Sequence, residues 1–420
     1  MCGSEHPCVC SESPVQGVPL GIYAKSHSTL DLQGVFSPVS GGVLDHETGE
    51  FIPLAPGATE IRRSAAEIRL ERYAMQSVSR SILPKSQTAK CLRVPFRPDG
   101  RVDIYYSPEH QSASFGGLVT CHSVWVCPPC SAKITERRRV EIGGAIAAWE
   151  ALGGSVVMLT LTHGHTQADA LADLLIGQQK ALYHFFGGRK GRELMEALGR
   201  VGHIRAWEVT HGRRRQVNNG WHPHFHILLF LEHSHHDLLW AEDWAYHVWL
   251  NACQLAGLPL PNRRYGVTIK DGTKAAAYVA KMGHEEAAGT WGLDSEMTKG
   301  HVKRSRDGET PFDFLRAALA GDDPQARALF REFAESFKGK RQLVWSRGLR
   351  ERFNLDDLSD ADLAAAHESD AFLLSSLSRD DWRLILRFDA RGELLELCRH
   401  GSLEPISRLL QSLQSMRSQS

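Results

Sequence analysis

No apolar stretch in the 420 residues approaches the roughly 20 needed to cross a bilayer, so no membrane span is expected. The N-terminus, MCGSEHPCVCSESPVQG, lacks a basic start followed by an apolar stretch, and a secretory signal is therefore not expected. Net charge is also missing, since 49 Lys and Arg are balanced by 49 Asp and Glu. Cysteine is too thin, at nine in the whole chain, for a secreted disulfide scaffold. A reducing cytoplasm with a metal site is the better expectation. No internal repeat is visible. What remains is 42% hydrophobic and 23% charged, the balance of a soluble globular protein with two or three domains.

The zero net charge hides a pattern. Residues 121–350 carry 30 basic against 24 acidic side chains, and residues 351–420 carry 8 against 13. The basic excess is small. Its clusters, Arg137-Arg138-Arg139, Arg213-Arg214-Arg215 and Lys303-Arg304 to Arg306, point to nucleic acid more than the total does. Each cluster also reads as a solvated face.

Composition and periodicity divide the chain into four parts. Residues 1–80 are rich in Gly, Ser and Pro and read as largely disordered, with one helix within RSAAEIRLERYAMQSVSRSIL. Residues 81–140 hold scattered cysteines and short strand-like runs such as RVDIYY. They are followed by a helix, SAKITERRRVEIGGAIAAWEAL. Residues 141–350 alternate regularly: strand GGSVVMLTLTH, helix TQADALADLLIGQQKALYHFF capped by Thr166, strand HIRAWEVTH, basic loop GRRRQVNNG, strand WHPHFHILLFLE, a helix ending at Gly257, strand RYGVTIK and helix DGTKAAAYVAKMG. The first six elements have the order of a ferredoxin-like split βαβ sandwich, an α+β fold with helices on one face of an antiparallel sheet. Residues 351–420 read as acidic amphipathic helices that pack on the core or meet a partner protein.

The stretch GWHPHFHILLF places three histidines in five positions. On a strand, His222, His224 and His226 share one face while Phe225, Ile227 and Leu229 share the other and enter a core. Neutral imidazole is the commonest metal ligand. The strand HIRAWEVTH, joined by a loop, pairs as a hairpin and brings Glu208 across from the histidines. Mixed N and O ligands suit Mg²⁺, Mn²⁺ or a similar divalent ion. The alternative has Glu208 in water or paired with Arg213 or Arg214. Tyr278 stands on KAAAYVAKM with Lys274 and Lys281 on its helix face. Two cations there can stabilise a phenolate or grip a phosphate.

In this order, VVMLTLT, HPHFH and AAYVAKM resemble the three motifs of the HUH endonucleases. The chain is most similar there to rolling-circle replication initiator (Rep) proteins of bacterial plasmids, over roughly residues 90–350. CHSVWVCPPCSAKI and GKRQLVWSRGLR resemble further segments of that family. The resemblance implies a divalent metal on the scissile phosphate, held by His224 and His226, with Glu208, or else His222, as third ligand. It implies Tyr278 as the nucleophile, leaving a 5′-phosphotyrosyl link and a free 3′-OH that primes synthesis. The implied partners are plasmid origin DNA, as duplex hairpin and single strand, and a host helicase with other replication proteins. Lys281 would assist the tyrosine; Lys274, Arg213, Arg214, Arg215, Arg137 and Arg138 would hold DNA. One departure is Lys274, which stands where such enzymes can carry an acidic residue one turn before the tyrosine; Asp271 is seven residues before it. A single-strand transposase of the same superfamily and a non-catalytic zinc-dependent DNA-binding regulator are the rivals.

Cys121, Cys127 and Cys130 form C-x5-C-x2-C, with Cys91 as a fourth thiolate. Four such ligands suit tetrahedral structural Zn²⁺. His110 and His122 compete with Cys91, and CPPC also reads as a redox motif. Residues 91–130 are poor in large apolar side chains, so zinc is expected to supply stability that burial does not.

Overall fold

The computed structural model describes residues 42–44, 51–53, 65–271, 308–365 and 370–418. Two short strands, β1 (Gly42–Leu44) and β2 (Phe51–Pro53), pair antiparallel. Then come α1 (Ala65–Ile82), β3 (Val102–Ser107), β4 (Ser112–Gly116) and α2 (Pro128–Ala151). The central run is β5 (Ser155–Leu161), α3 (Leu171–Gly187), α4 (Arg189–Ala197), β6 (Arg200–His211), β7 (Trp221–Leu231), α5 (Leu239–Ala256) and β8 (Val267–Asp271). After it lie α6 (Pro311–Gly321), α7 (Pro324–Ser336), β9 (Leu343–Trp345), α8 (Leu349–Arg352) and α9 (Asp360–Ala365). The last described elements are β10 (Phe372–Leu377), α10 (Arg379–Arg387), α11 (Arg391–Leu397) and α12 (Glu404–Ser418).

Local chemistry explains several boundaries. Prolines occupy the first turn of α2, where no backbone N–H is needed for the helix ladder. Gly257 closes α5 in the left-handed conformation at φ 73°, as expected of a glycine there. Thr166 does not cap α3, which begins five residues later; its N–H and Oγ1 bond Asp169 instead, at 2.6 and 2.9 Å. The helix expected around Tyr278 lies outside the described residues.

The main sheet has the order β8-β5-β7-β6-β9, with every neighbour antiparallel. Phe225, Ile227 and Leu229 enter the largest core with Leu174 and Phe185 of α3 and Trp249 of α5. The other face is covered too, which corrects the expectation of helices on one face. Leu228 and Phe230 pack there with Met158, Ile204 and Ile142, Ile146 and Trp149 of α2. The reason is in β7 itself. Residues 227–231 are apolar on both faces, and such a strand needs cover on both.

A second sheet, β10-β3-β4, joins the cysteine-rich segment to the C-terminal residues. The segment FLLSSL, read from sequence as part of a helix, is strand β10 because it pairs with β3. Val102, Ile104 and Phe115 share a core with Trp382, Ile385, Leu394 and Leu409. The apolar cover missing near residues 91–130 thus comes from far along the chain, so burial contributes there after all.

Candidate metal centres

The β6–β7 register sets Glu208 opposite His224, and Ala206 opposite His226. On its other side β7 pairs with β5, placing Thr160 opposite His226. Three neighbouring strands therefore aim polar groups at one spot on the α2 face, beyond the end of that helix's apolar cover. His226 Nε2 lies 2.8 Å from Glu208 Oε2 and 3.2 Å from His224 Nε2. His224 Nε2 lies 3.6 Å from the same carboxylate oxygen. Ligands about 2.1 Å from a divalent ion in octahedral geometry stand about 3 Å apart, so this trio fits one ion. His226 Nδ1 meets Thr160 Oγ1 at 3.2 Å, and His224 Nδ1 meets the His222 carbonyl at 3.3 Å. Those outer contacts engage the Nδ1 atoms and turn both Nε2 atoms toward Glu208 and each other, where they could serve as ligands. Burial would raise the Glu208 carboxyl. Hydrogen bonds from His224 and His226, and their charge, outweigh it and hold the group well below the usual carboxylate range.

His222 shares the face, its ring 5.0 Å from that of His224, but it is not in the group whose ligand atoms lie within 4.8 Å of one another. Its ring stacks on His165 at 4.7 Å, and burial pushes its pKa down to about 2. The structure thus brings Glu208, not His222, to His224 and His226. Thr160 was missed in the sequence because a threonine in a β-branched strand gives no signal of its own. Tyr278, Lys274 and Lys281 lie outside the described residues, as do Lys303, Arg304 and Arg306. The arginines divide. Arg213 is sunk in ion pairs with Glu309 at 2.8 Å and Asp323 at 2.6 Å, while Arg214 and Arg215 face solvent. Glu208 therefore does not take Arg213 as its partner. Arg138 is buried against Glu141 and Asp360, at 3.0 and 3.4 Å; Arg137 is half-buried. Arg138 and Arg213 are committed inside the protein rather than displayed to a ligand.

The cysteines converge as a second cluster. Cys91, Cys121, Cys127 and Cys130 have their sulfurs within 4.8 Å of one another. Three of the Sγ–Sγ separations are 3.4 Å (Cys91–Cys130), 3.6 Å (Cys91–Cys127) and 3.8 Å (Cys121–Cys130). A tetrahedron with Zn–S of about 2.3 Å has edges of about 3.8 Å, so the four fit that ion. The rivals fall away: His122 bonds Thr120 at 2.6 Å, and His110 clusters with Glu109 and Asp370. Gln76 donates to Cys127 Sγ at 3.4 Å and to the Cys91 carbonyl at 3.0 Å. It also accepts from the buried Arg391 of α11. Leu363 and Ala364 of α9 close the cluster's apolar side.

A family model described as replication protein (Rep_1) matches residues 117–393, about two thirds of the chain. The chain belongs to this replication protein family. The matched span holds the histidine site and three of the four cysteines; Cys91 precedes it. The chain is 27% identical to "Protein rep" of Streptomyces lividans over 342 residues, 64% of this chain and 73% of that protein. It is 31% identical over 139 residues to a "Neomycin resistance protein" of Streptomyces cyanogenus, covering 27% of this chain and 31% of that one. No solved structure matches. Among the described residues no helix of this replication protein is long and apolar enough to cross a membrane.

Proposed function

We propose that this replication protein initiates rolling-circle replication of a plasmid by nicking and rejoining one strand of its origin. The observation that carries the reading is the convergence of Glu208, His224 and His226, from two paired strands, on one ion-sized space. Glu208, His224 and His226 would hold Mg²⁺ or Mn²⁺, which would supply Lewis-acid polarisation of the scissile phosphate. Glu208 supplies negative charge and the two imidazoles neutral nitrogen, with Thr160 holding the His226 ring in orientation. The Tyr278 oxygen attacks phosphorus, forming the O–P bond of a 5′-phosphotyrosine. The P–O3′ bond breaks, and the departing 3′ oxygen takes a proton. Lys281 and Lys274 stabilise the phenolate that attacks. Because the phosphodiester is conserved as the tyrosyl ester, the reverse attack by a 3′-OH rejoins the strand without ATP.

The strand order β8-β5-β7-β6 supports a ferredoxin-like catalytic unit within residues 141–350, to which β9 adds an edge. Structural Zn²⁺ at Cys91, Cys121, Cys127 and Cys130 ties α1, the start of α2 and the C-terminal helices together, and helps present the protein to duplex origin DNA. Plasmid DNA in the cytoplasm, opened by a host helicase, is the setting this implies. The family match favours replication over the single-strand transposase reading. The test is incubation with single-stranded origin oligonucleotides and Mn²⁺, followed by a denaturing gel. Wild type should give a covalent protein–DNA band that Tyr278→Phe lacks. Origin binding with no band from wild type would point to the non-catalytic regulator instead.

A further inference from the structure

The chain that follows α7 is basic: Lys338, Lys340, Arg341, Arg347, Arg350 and Arg352 against Glu351. It forms β9, the edge strand, and then α8. Between this segment and the residues leading into α9 lies a cleft of about 350 Å³, lined among others by Arg138, Arg341, Trp345, Arg347, Arg350 and Ser359. Two of its four arginines are already neutralised. Arg138 pairs with Glu141 and Asp360, and Arg350 with Glu141 and, at 3.5 Å, Asp357. Arg341 and Arg347 are exposed and make no ion pair among the described residues. Arg138 and Arg350 share three carboxylates, Glu141, Asp357 and Asp360, and Glu351 also lines the cleft, so the positive charge of Arg341 and Arg347 is local to their side of it.

Trp345 adds a second, independent sign. Its ring carries the Arg350 guanidinium at 4.6 Å, and its Nε1 is buried with no hydrogen-bond acceptor. The ring lines the cleft beside Arg341 and Arg347. Cationic side chains beside an indole form the combination that holds single-stranded nucleic acid without reading its sequence. The place fits that ligand. Gln342 lines this cleft and also the small cavity lined by Glu208 and His226. The Trp207 N–H bonds the Gln342 carbonyl at 3.3 Å, fixing the start of β9 one residue from Glu208 on the neighbouring strand. Gln342 thus joins the cleft to the hollow beside Glu208 and His226.

We infer that the cleft lined by Arg341, Trp345 and Arg347 is a sequence-independent binding site for the phosphate backbone of single-stranded DNA running away from the metal site. This rests on the nuclease reading only for the direction of the strand. The test reads binding alone. A fluorescein-labelled oligo(dT) of 30 nucleotides is titrated at 50 to 200 mM salt, without divalent metal, and followed by anisotropy. In Arg341→Gln/Arg347→Gln the slope of log K against log salt should fall by about 1.4, for two lost phosphate contacts. Trp345→Ala removes the ring that lines the cleft; affinity should fall about tenfold while the slope stays. Lys180→Gln/Lys190→Gln, an equal loss of charge from exposed positions on α3 and α4, should leave the slope unchanged. An unchanged slope in the arginine pair, or an equal fall in the lysine pair, overturns the inference. So does oligo(dT) binding that survives the arginine changes while binding of labelled polyglutamate is lost, which marks an acidic-peptide site. Failure of the covalent band sinks the nuclease reading and leaves these readouts intact.

Discussion

Thr160→Val is a sharp perturbation of the histidine site. The two side chains share shape and β-branching, so β5 keeps its strand preference and its place between β7 and β8. What disappears is one hydroxyl, 3.2 Å from His226 Nδ1. When His226 Nε2 serves as a ligand, its proton sits on Nδ1 and donates to Thr160. Without that acceptor the ring loses both its preferred tautomer and its orientation. Outer contacts of this kind typically contribute 10- to 100-fold in metal affinity, or about 1.4–2.8 kcal/mol. The cost to folding should be smaller, about 1 kcal/mol, because one half-buried hydrogen bond is lost and no cavity opens. Mn²⁺ titration by isothermal calorimetry, beside urea unfolding of the same preparations, separates the two. We expect Mn²⁺ affinity to fall at least tenfold with a nearly unchanged unfolding midpoint. Affinity within twofold of wild type would refute the claim that Thr160 orients the ligand.

Three further outcomes follow from the geometry. His224→Ala and His226→Ala should each abolish nicking, whereas His222→Ala, outside the trio, should retain most of it; equal loss in all three would make His222 a ligand, and Mn²⁺ titration of each variant reads this directly. Purified wild type should hold about one zinc per chain by elemental analysis, retained under mild EDTA treatment that silences nicking, and Cys127→Ser should lose it while cleaving short single-stranded oligonucleotides better than it binds duplex origin; zinc unchanged in the variant would remove the site. His203 is held neutral in the folded protein, its pKa pushed down to about 3 by burial and by the charges of Arg200 and Arg205. The unfolded chain takes up that proton below about pH 6.5, so stability is full above that pH and falls on acidification towards 3, by about 2 kcal/mol at pH 5. His203→Phe, which can keep the stack on Phe186, should shrink the stability difference between pH 7 and pH 5 by that amount in urea melts; an unchanged difference would show that His203 titrates normally.

Much of the candidate site was legible because strand geometry is local. Alternation within HPHFH puts the histidines on one face, and a hairpin between neighbouring strands carries Glu208 to them, so two short segments determine the trio. C-x5-C-x2-C likewise marks a thiolate cluster by spacing. The choice among Cys91, His110 and His122 as fourth member was not legible, because it depends on how a loop some thirty residues upstream returns to the start of α2. The setting of two arginines was not legible for a related reason. Arg138 and Arg213 look like displayed charge in the sequence, yet Arg213 pairs with Glu309 and Asp323, about a hundred residues away, and Arg138 with Asp360 as well as with its helix neighbour Glu141. Sequence by itself thus determined the strand faces, the order of the central elements and the residue types of two candidate metal-binding clusters, all set by period and spacing along the chain. Only tertiary structure decided the cover on both sheet faces, the strand made from FLLSSL and the joining of the cysteine segment to the C-terminal helices. Those depend on which distant apolar and charged groups meet, and burial and ion pairing act through space between residues whose spacing along the chain carries no trace of the contact.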